Sequence, residues 1–178
     1  YSQWEDIVKD SAFRTPYAAL YIGMGDLVDN GEQAYQWRTW LNSIHPLSTR
    51  VPLAPMMGNH EMYTLDWKMR EPKAYLNYFD VPSNGNTTFD RHYYSYDYGD
   101  VHYVVLDTQL YESNHDDNHD VHHPDLYDVQ VQWLRQDLAN NTKKWTVVLM
   151  HRDPFQYAFD RPGASRAAGF DEEGVLFM

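Results

Sequence analysis

Three apolar runs, far apart along the chain, each end in residues that bind cations or move protons, and that repetition limits what the chain can fold into. The first, Ala18-Ala19-Leu20-Tyr21-Ile22, passes into Gly-Met-Gly-Asp-Leu-Val-Asp-Asn-Gly over residues 23–31. The second, Val51 to Met57, passes into Gly58-Asn59-His60-Glu61, and the third, Trp145 to Met150, ends in His151. Short apolar runs closed by glycine or polar residues read as buried strands. Three such strands would deliver Asp26, Asn59 with His60, and His151 at their C-terminal ends, the edge where open α/β sheets bind ligands. Gly25 would let the backbone crowd whatever Asp26 touches, and Asn30-Gly31 would supply a turn with positive φ.

The segments between these runs alternate in type. Ser2-Gln3-Trp4-Glu5 has the spacing of a capping box, and Trp4, Ile7 and Val8 follow at helical spacing, which predicts a helix over Gln3–Ala12, closed before Pro16. Trp37, Trp40, Leu41 and Ile44 fall at i, i+3, i+4, i+7 and predict a second helix, ended by Pro46. Pro52 and Pro55 suit a central strand poorly, so the ordered part of that run narrows to Ala54–Met57. Strand, helix and strand in that order give a parallel pair. A short helix is expected within Glu71–Phe79, a turn at Ser83–Asn86, and a hairpin of Tyr93–Tyr98 with Val101–Asp107 around Gly99-Asp100. The polar, histidine-rich stretch 111–125 is too long for an ordinary connection. Asp125 as N-cap, with Tyr127, Val131, Leu134 and Leu138 on one face, predicts a helix stopped at Asn140-Asn141 before the strand Trp145–Met150. Arg152–Gly169 reads as a loop, and the class is α/β.

Length and composition exclude several functions. A chain of 178 residues with 43% hydrophobic residues can bury a core as one domain, and disorder is not expected. The net charge of −12 argues against a nucleic-acid partner, which needs a basic footprint. An acidic enzyme can still act on phosphate esters if metal cations supply the local positive charge. The chain has no cysteine, so disulfides, zinc–thiolate sites and thiol nucleophiles are absent from it. No apolar stretch approaches the roughly 20 residues that span a bilayer.

The motifs as they stand resemble those of the calcineurin-like metallophosphoesterases. Gly25-Asp26-Leu27-Val28-Asp29-Asn30-Gly31 is similar to that superfamily's Gly-Asp-x-x-Asp-x-Gly, Gly58-Asn59-His60-Glu61 to its Gly-Asn-His-Asp/Glu, and His151 fits its later lone histidine. The segment Tyr93 to Thr108 looks like the purple acid phosphatase branch. The resemblance implies a four-layer α/β/β/α sandwich with mixed sheets, of which this chain would be a part. It also implies a pair of metal ions whose bridging hydroxide attacks a phosphate ester. Purple acid phosphatases carry an iron-binding tyrosine three residues after the motif aspartate. Here that position is Asp29, so a non-purple pair such as Mn, Fe or Zn is expected.

Each candidate residue has a chemical reason. Asp26 offers two oxygens able to bridge two cations, Asn59 a neutral carbonyl oxygen, and His151 an imidazole nitrogen. The resemblance implies that His60 stands near the leaving-group oxygen as a proton donor or a stabiliser of developing charge, a plain surface histidine being the alternative. Asp29 and Glu61 would orient ligands or their loop by hydrogen bonding. Arg152 could grip a phosphate oxygen or form an exposed salt bridge. The run His115 to His123 could bind a divalent ion, but a solvated loop fits it better. The family's Asp-x-His motif should lie upstream of residue 17, where residues 1–16 contain no histidine, its Gly-His-x-His motif should lie downstream of residue 178, and Val175–Met178 is an apolar end. The stretch is therefore expected to be one domain, residues 1–178, truncated at both ends, with weak or absent metal binding and no useful turnover by itself. A catalytically silent phosphoesterase-like binding or structural module is the alternative function. A carboxylate glycosidase is a weaker one, since no facing acid pair stands out.

Overall fold

Two strand–helix–strand units and a hairpin make up the framework. The computed structural model describes residues 2–109 and 124–151. Helix α1 (Ser2–Arg14) precedes the first unit, β1 (Tyr21–Met24), α2 (Ala34–Ser48) and β2 (Leu53–Met56), whose strands pair in parallel with Ile22 opposite Ala54. A 3-10 turn (His60–Met62) and α3 (Lys73–Tyr78) lead to the hairpin of β3 (Tyr94–Tyr98) and β4 (Val101–Val105). Helix α4 (Pro124–Asn140) then returns the chain to β5 (Trp145–Leu149), parallel to β4, in a three-stranded mixed sheet ordered β3-β4-β5.

The two sheets share one core. Trp37, Trp40, Ile44 and Leu47 form the buried face of α2 and meet Val8 of α1, Met56 of β2, Phe79, and Tyr94, Val105 and Leu149 of the second sheet. Trp37 and Trp40 each set an edge against Phe79 with ring centroids 6.0 Å apart. Truncating one such buried tryptophan costs about 3–5 kcal/mol. Pro55 lies inside β2, where it has no N–H to give a ladder. Its carbonyl instead accepts from Tyr75 Oη at 3.0 Å and from Tyr94 Oη, which pins β2 to the hairpin. On its other face the hairpin meets α4: Val104 and Leu106 pack on Leu134, and Ser95 Oγ donates to Asp137 Oδ1 at 2.6 Å.

The structure corrects several expectations. Helix α1 includes Ser2 and runs on to Arg14, Glu5 accepts from Lys9 Nζ at 2.6 Å, and Ile7 is exposed. Helix α2 runs through Pro46 to Ser48. In the last turn the missing N–H of Pro46 forfeits only one bond, and Thr49 N–H still reaches the His45 carbonyl. Helix α4 begins at Pro124, a position proline's fixed φ suits, so Asp125 falls within the first turn. Leu138 is exposed, off the face that buries Val131 and Leu134. The largest difference is β5. Trp145 is 61% exposed and Val147 and Val148 are also in water, so only Leu149 is buried. This strand is the outer member of its sheet among the described residues, and the shared core reaches it only at the level of Leu149. The His115–His123 run, Arg152, the loop to Gly169 and the tetrad Val175–Met178 lie outside the described residues.

A buried charge pair ties the hairpin to the segment before α3. His92 sits between Asp107 Oδ2 at 3.3 Å and Glu71 Oε1 at 3.1 Å. Gln130 of α4 holds Asp107 from behind, accepting from its N–H at 2.8 Å and donating to its carbonyl at 3.0 Å. Burial disfavours the imidazolium, but the two carboxylates outweigh it and raise His92 to about 9. A pKa raised above the unfolded value stabilises fully below about pH 6.5, and that stabilisation is lost as pH rises through about 9. Urea unfolding should therefore lose about 3 kcal/mol between pH 6 and pH 10. The loss should be absent in His92→Gln, and an equal loss in that variant would assign the effect to other groups.

Candidate active site

The site is built where the loops after β1, β2 and β5 meet. Glu61 is the residue that joins the first two. Its carboxylate, 1% exposed, accepts four backbone N–H groups: Gly58 at 2.5 Å, Leu27 at 2.6 Å, Asp26 at 2.9 Å and Val28 at 3.3 Å. Burial pushes the Glu61 carboxyl up, the Gly58 N–H pulls it down, and the nearby Asp26 charge pushes it up again, for a net rise. Four donors on one anion offset a desolvation that would otherwise be prohibitive.

This clamp brings backbones close enough to require glycine. A Cβ on Gly58 would stand 2.1 Å from Asp26 Oδ1, and one on Gly31 would stand 2.0 Å from the Glu61 carbonyl oxygen. The positive φ expected at Asn30-Gly31 falls instead on Gly25 (83°) and Asp26 (51°). Asp26 is thus held in a conformation rare for a residue with a side chain, its backbone N–H committed to Glu61.

Asp26 is the meeting point of the two histidines. His60 N–H donates to Asp26 Oδ1 at 3.1 Å, and His60 Nε2 stands 3.9 Å from Oδ2. His151 Nε2 is 3.2 Å from the same Oδ2. Both rings are oriented through their other nitrogen by backbone carbonyls, which only accept: His60 Nδ1 donates to Asp29 O at 2.6 Å, and His151 Nδ1 to Met24 O at 2.8 Å. Each Nε2 is left facing the Asp26 carboxylate. Burial lowers the His151 pKa, but Asp26 and the Met24 carbonyl outweigh it and raise it. For Asp26, burial is likewise outweighed by the His151 contact and the His60 N–H, so its pKa is lowered.

Asn59 lies between Gly58 and His60, both in contact with Asp26, and its Nδ2 donates to Tyr63 Oη at 3.2 Å. Asp29 contributes its carbonyl to His60, with its exposed carboxylate 3.5 Å from the same Nδ1. Among the described residues no three His, Asp or Glu side chains converge as a ligand set. Asp26 and His151 do face each other with an oxygen and an imidazole nitrogen, a pair joined by a shared proton in the charged form of His151 and of a donor type that also suits a first-row transition metal. Two contributors were missed in the sequence. Tyr63, which also sets its ring against His60 at 5.0 Å, lies four residues beyond Asn59 and could have been found by that spacing. Gln36 Oε1, which accepts from both Asp29 and Asn30 N–H at 2.8 Å, carried no local signal. A cleft of about 590 Å³ along β1, with Trp4 and Trp40 in its lining, reaches Asp26.

The sequence profile of the Calcineurin-like phosphoesterase family matches residues 1–175. The chain belongs to that family. Its relatives place it in the purple acid phosphatase-like branch. Purple acid phosphatase 23 of Arabidopsis thaliana is 29% identical over 131 residues, 67% of this chain and 24% of that protein. Purple acid phosphatase 22 of the same plant is 28% identical over 162 residues, 89% of this chain and 35% of that protein. The solved structure of purple acid phosphatase PPD1 from yellow lupin (Lupinus luteus) seeds has the same fold. It aligns with a TM-score of 0.61 at 17% identity, covering 92% of this chain and 30% of that one. The chain thus spans about a quarter to a third of the length of these relatives.

The clamp makes a measurable demand on stability. Glu61→Ala strands four N–H donors and should cost about 3–5 kcal/mol in urea unfolding. Glu61→Gln keeps one acceptor oxygen and should cost about half as much. Equal, sub-kilocalorie effects for both would show that the loops hold together without it.

Proposed function

We propose that the intact protein hydrolyses phosphate esters with a pair of metal ions held in part by Asp26, Asn59 and His151. The observation that supports this reading most directly is the 3.2 Å approach of His151 Nε2 to Asp26 Oδ2, with His151 Nδ1 already committed to Met24. A metal pair, when bound, supplies Lewis acidity and a nucleophile at neutral pH, and Mn, Fe or Zn fit oxygen and imidazole donors. Family membership supports the phosphate-ester substrate.

The chain's own residues would divide the work. The carboxylate of Asp26 neutralises cationic charge and, with the imidazole of His151, sets its position. The Asn59 carbonyl adds a neutral donor, which keeps the site from becoming too anionic to admit a phosphate. His60, oriented by Asp29, would give a proton to the departing alcohol. Asp29 and Glu61 hold His60 and the two loops, and Arg152, next to His151, would contact a phosphate oxygen.

A second reading, a silent binding or structural module, is supported by one observation: among the described residues, no three His, Asp or Glu side chains gather into a set that could hold a metal ion. Activity decides between the two. The intact protein supplied with Mn²⁺ should hydrolyse an aryl phosphate, and Asp26→Asn should lower kcat/KM by roughly 10²–10³-fold or more without changing circular dichroism. Undiminished turnover in that variant would remove Asp26 from the mechanism. His60→Ala should slow alkyl phosphates about 10²-fold or more, and p-nitrophenyl phosphate much less, because a good leaving group needs no proton. Equal slowing of both would reassign His60 to binding.

A further inference from the structure

A row of rings leads away from His60 and ends at an exposed tryptophan. The Tyr63 ring meets His60 edge-on at 5.0 Å, and Trp67 follows at 5.7 Å from Tyr63 with a 59° tilt. Trp67 is 51% exposed and has φ of 60°. For a bulky residue that backbone conformation is an outlier, kept only where surrounding bonds over-determine it. They do so here. Trp67 N–H donates to Thr64 O at 2.8 Å, Thr64 N–H to Lys68 O at 2.9 Å, and Lys68 N–H to Thr64 Oγ1 at 3.0 Å.

The loop is also anchored to the candidate site. Asn30 Nδ2 donates to Thr64 O at 2.6 Å, Leu65 N–H to Glu32 Oε2 at 3.1 Å, and Glu32 N–H to Tyr63 O at 3.1 Å. The structure therefore holds a large flat side chain in water, in a strained backbone, at a set position relative to His60. Burial does not explain this arrangement, because half of the residue is exposed. A stacking platform does.

We infer that Trp67 is a specificity residue that stacks the flat base of a nucleoside phosphate whose ester oxygen lies at His60. This rests on the phosphoesterase reading above. The spacing selects the ligand class. A ring attached directly to the ester oxygen would stop beside Tyr63, one ring-step from His60. A base set apart from phosphorus by a sugar reaches the second step, where Trp67 is exposed. Aromatic stacking on such a platform is a recurrent way to hold a base.

The test compares adenosine 5′-monophosphate, phenyl phosphate and glycerol 2-phosphate on the intact protein with Mn²⁺. Trp67→Ala should raise KM for the nucleotide about tenfold, the size of one stacking contact. It should leave kcat and both other KM values within about twofold, and Trp67→Phe should recover most of the loss. A nucleotide KM that moves no more than that of glycerol 2-phosphate overturns the inference. If the wild type hydrolyses none of the three, the phosphoesterase reading fails, and ligand-observed NMR with adenosine decides the subsite alone. Saturation transfer lost in Trp67→Ala sustains it. Transfer that is absent, or the same in the variant, overturns it.

Discussion

One buried carboxylate holds the candidate site together. Glu61 lies 35 residues from Asp26 and collects N–H groups from both the loop after β1 and the loop after β2. A charge taken out of water survives only if its oxygens are fully engaged, and here the donors are main-chain amides that cannot swing away. Geometry follows from that demand. Amides converging on one anion draw two backbones into contact, so glycine is required at 58 and 31, and Asp26 is turned to positive φ.

Given that arrangement, the histidines are set by a second, simpler device. Each gives its Nδ1 proton to a backbone carbonyl, Asp29 for His60 and Met24 for His151, and so presents Nε2 to Asp26. A carbonyl cannot exchange roles as a side chain can, so the tautomer is decided by the fold. The chemistry at Asp26 thus depends on backbone placed by β1, and on β5 bringing His151 from the other sheet.

Elsewhere the same residue types serve the scaffold. His92 lies between Asp107 and Glu71, and His102 between Asp97 and Asp137, each ring nitrogen facing a carboxylate. The flanking carboxylates raise the pKa of each histidine, and each ring fastens one element to another. The histidines at Asp26 each have Nδ1 on a neutral backbone carbonyl and Nε2 turned toward the carboxylate they share, and for His60 the Asp29 carboxylate also stands 3.5 Å from Nδ1.

Much of the fold was legible because its signals are local: the parallel pair β1–β2, the hairpin around Gly99-Asp100 and the face of α2 all follow from periodicity and turn chemistry. The exposed flank of β5 was not, because an apolar run looks the same whether or not another layer covers it. Pro46 misled for a related reason, since its cost depends on how close to the helix end it falls. The sequence by itself determined which side chains stand at the ends of the apolar runs, Asp26, Asn59, His60 and His151, and so which were candidates for the site. Only the tertiary structure decided that Glu61 binds the loops, which nitrogen each histidine offers, and that Trp67 is held exposed. Those properties are contacts between segments distant along the chain, and no local pattern encodes a distance.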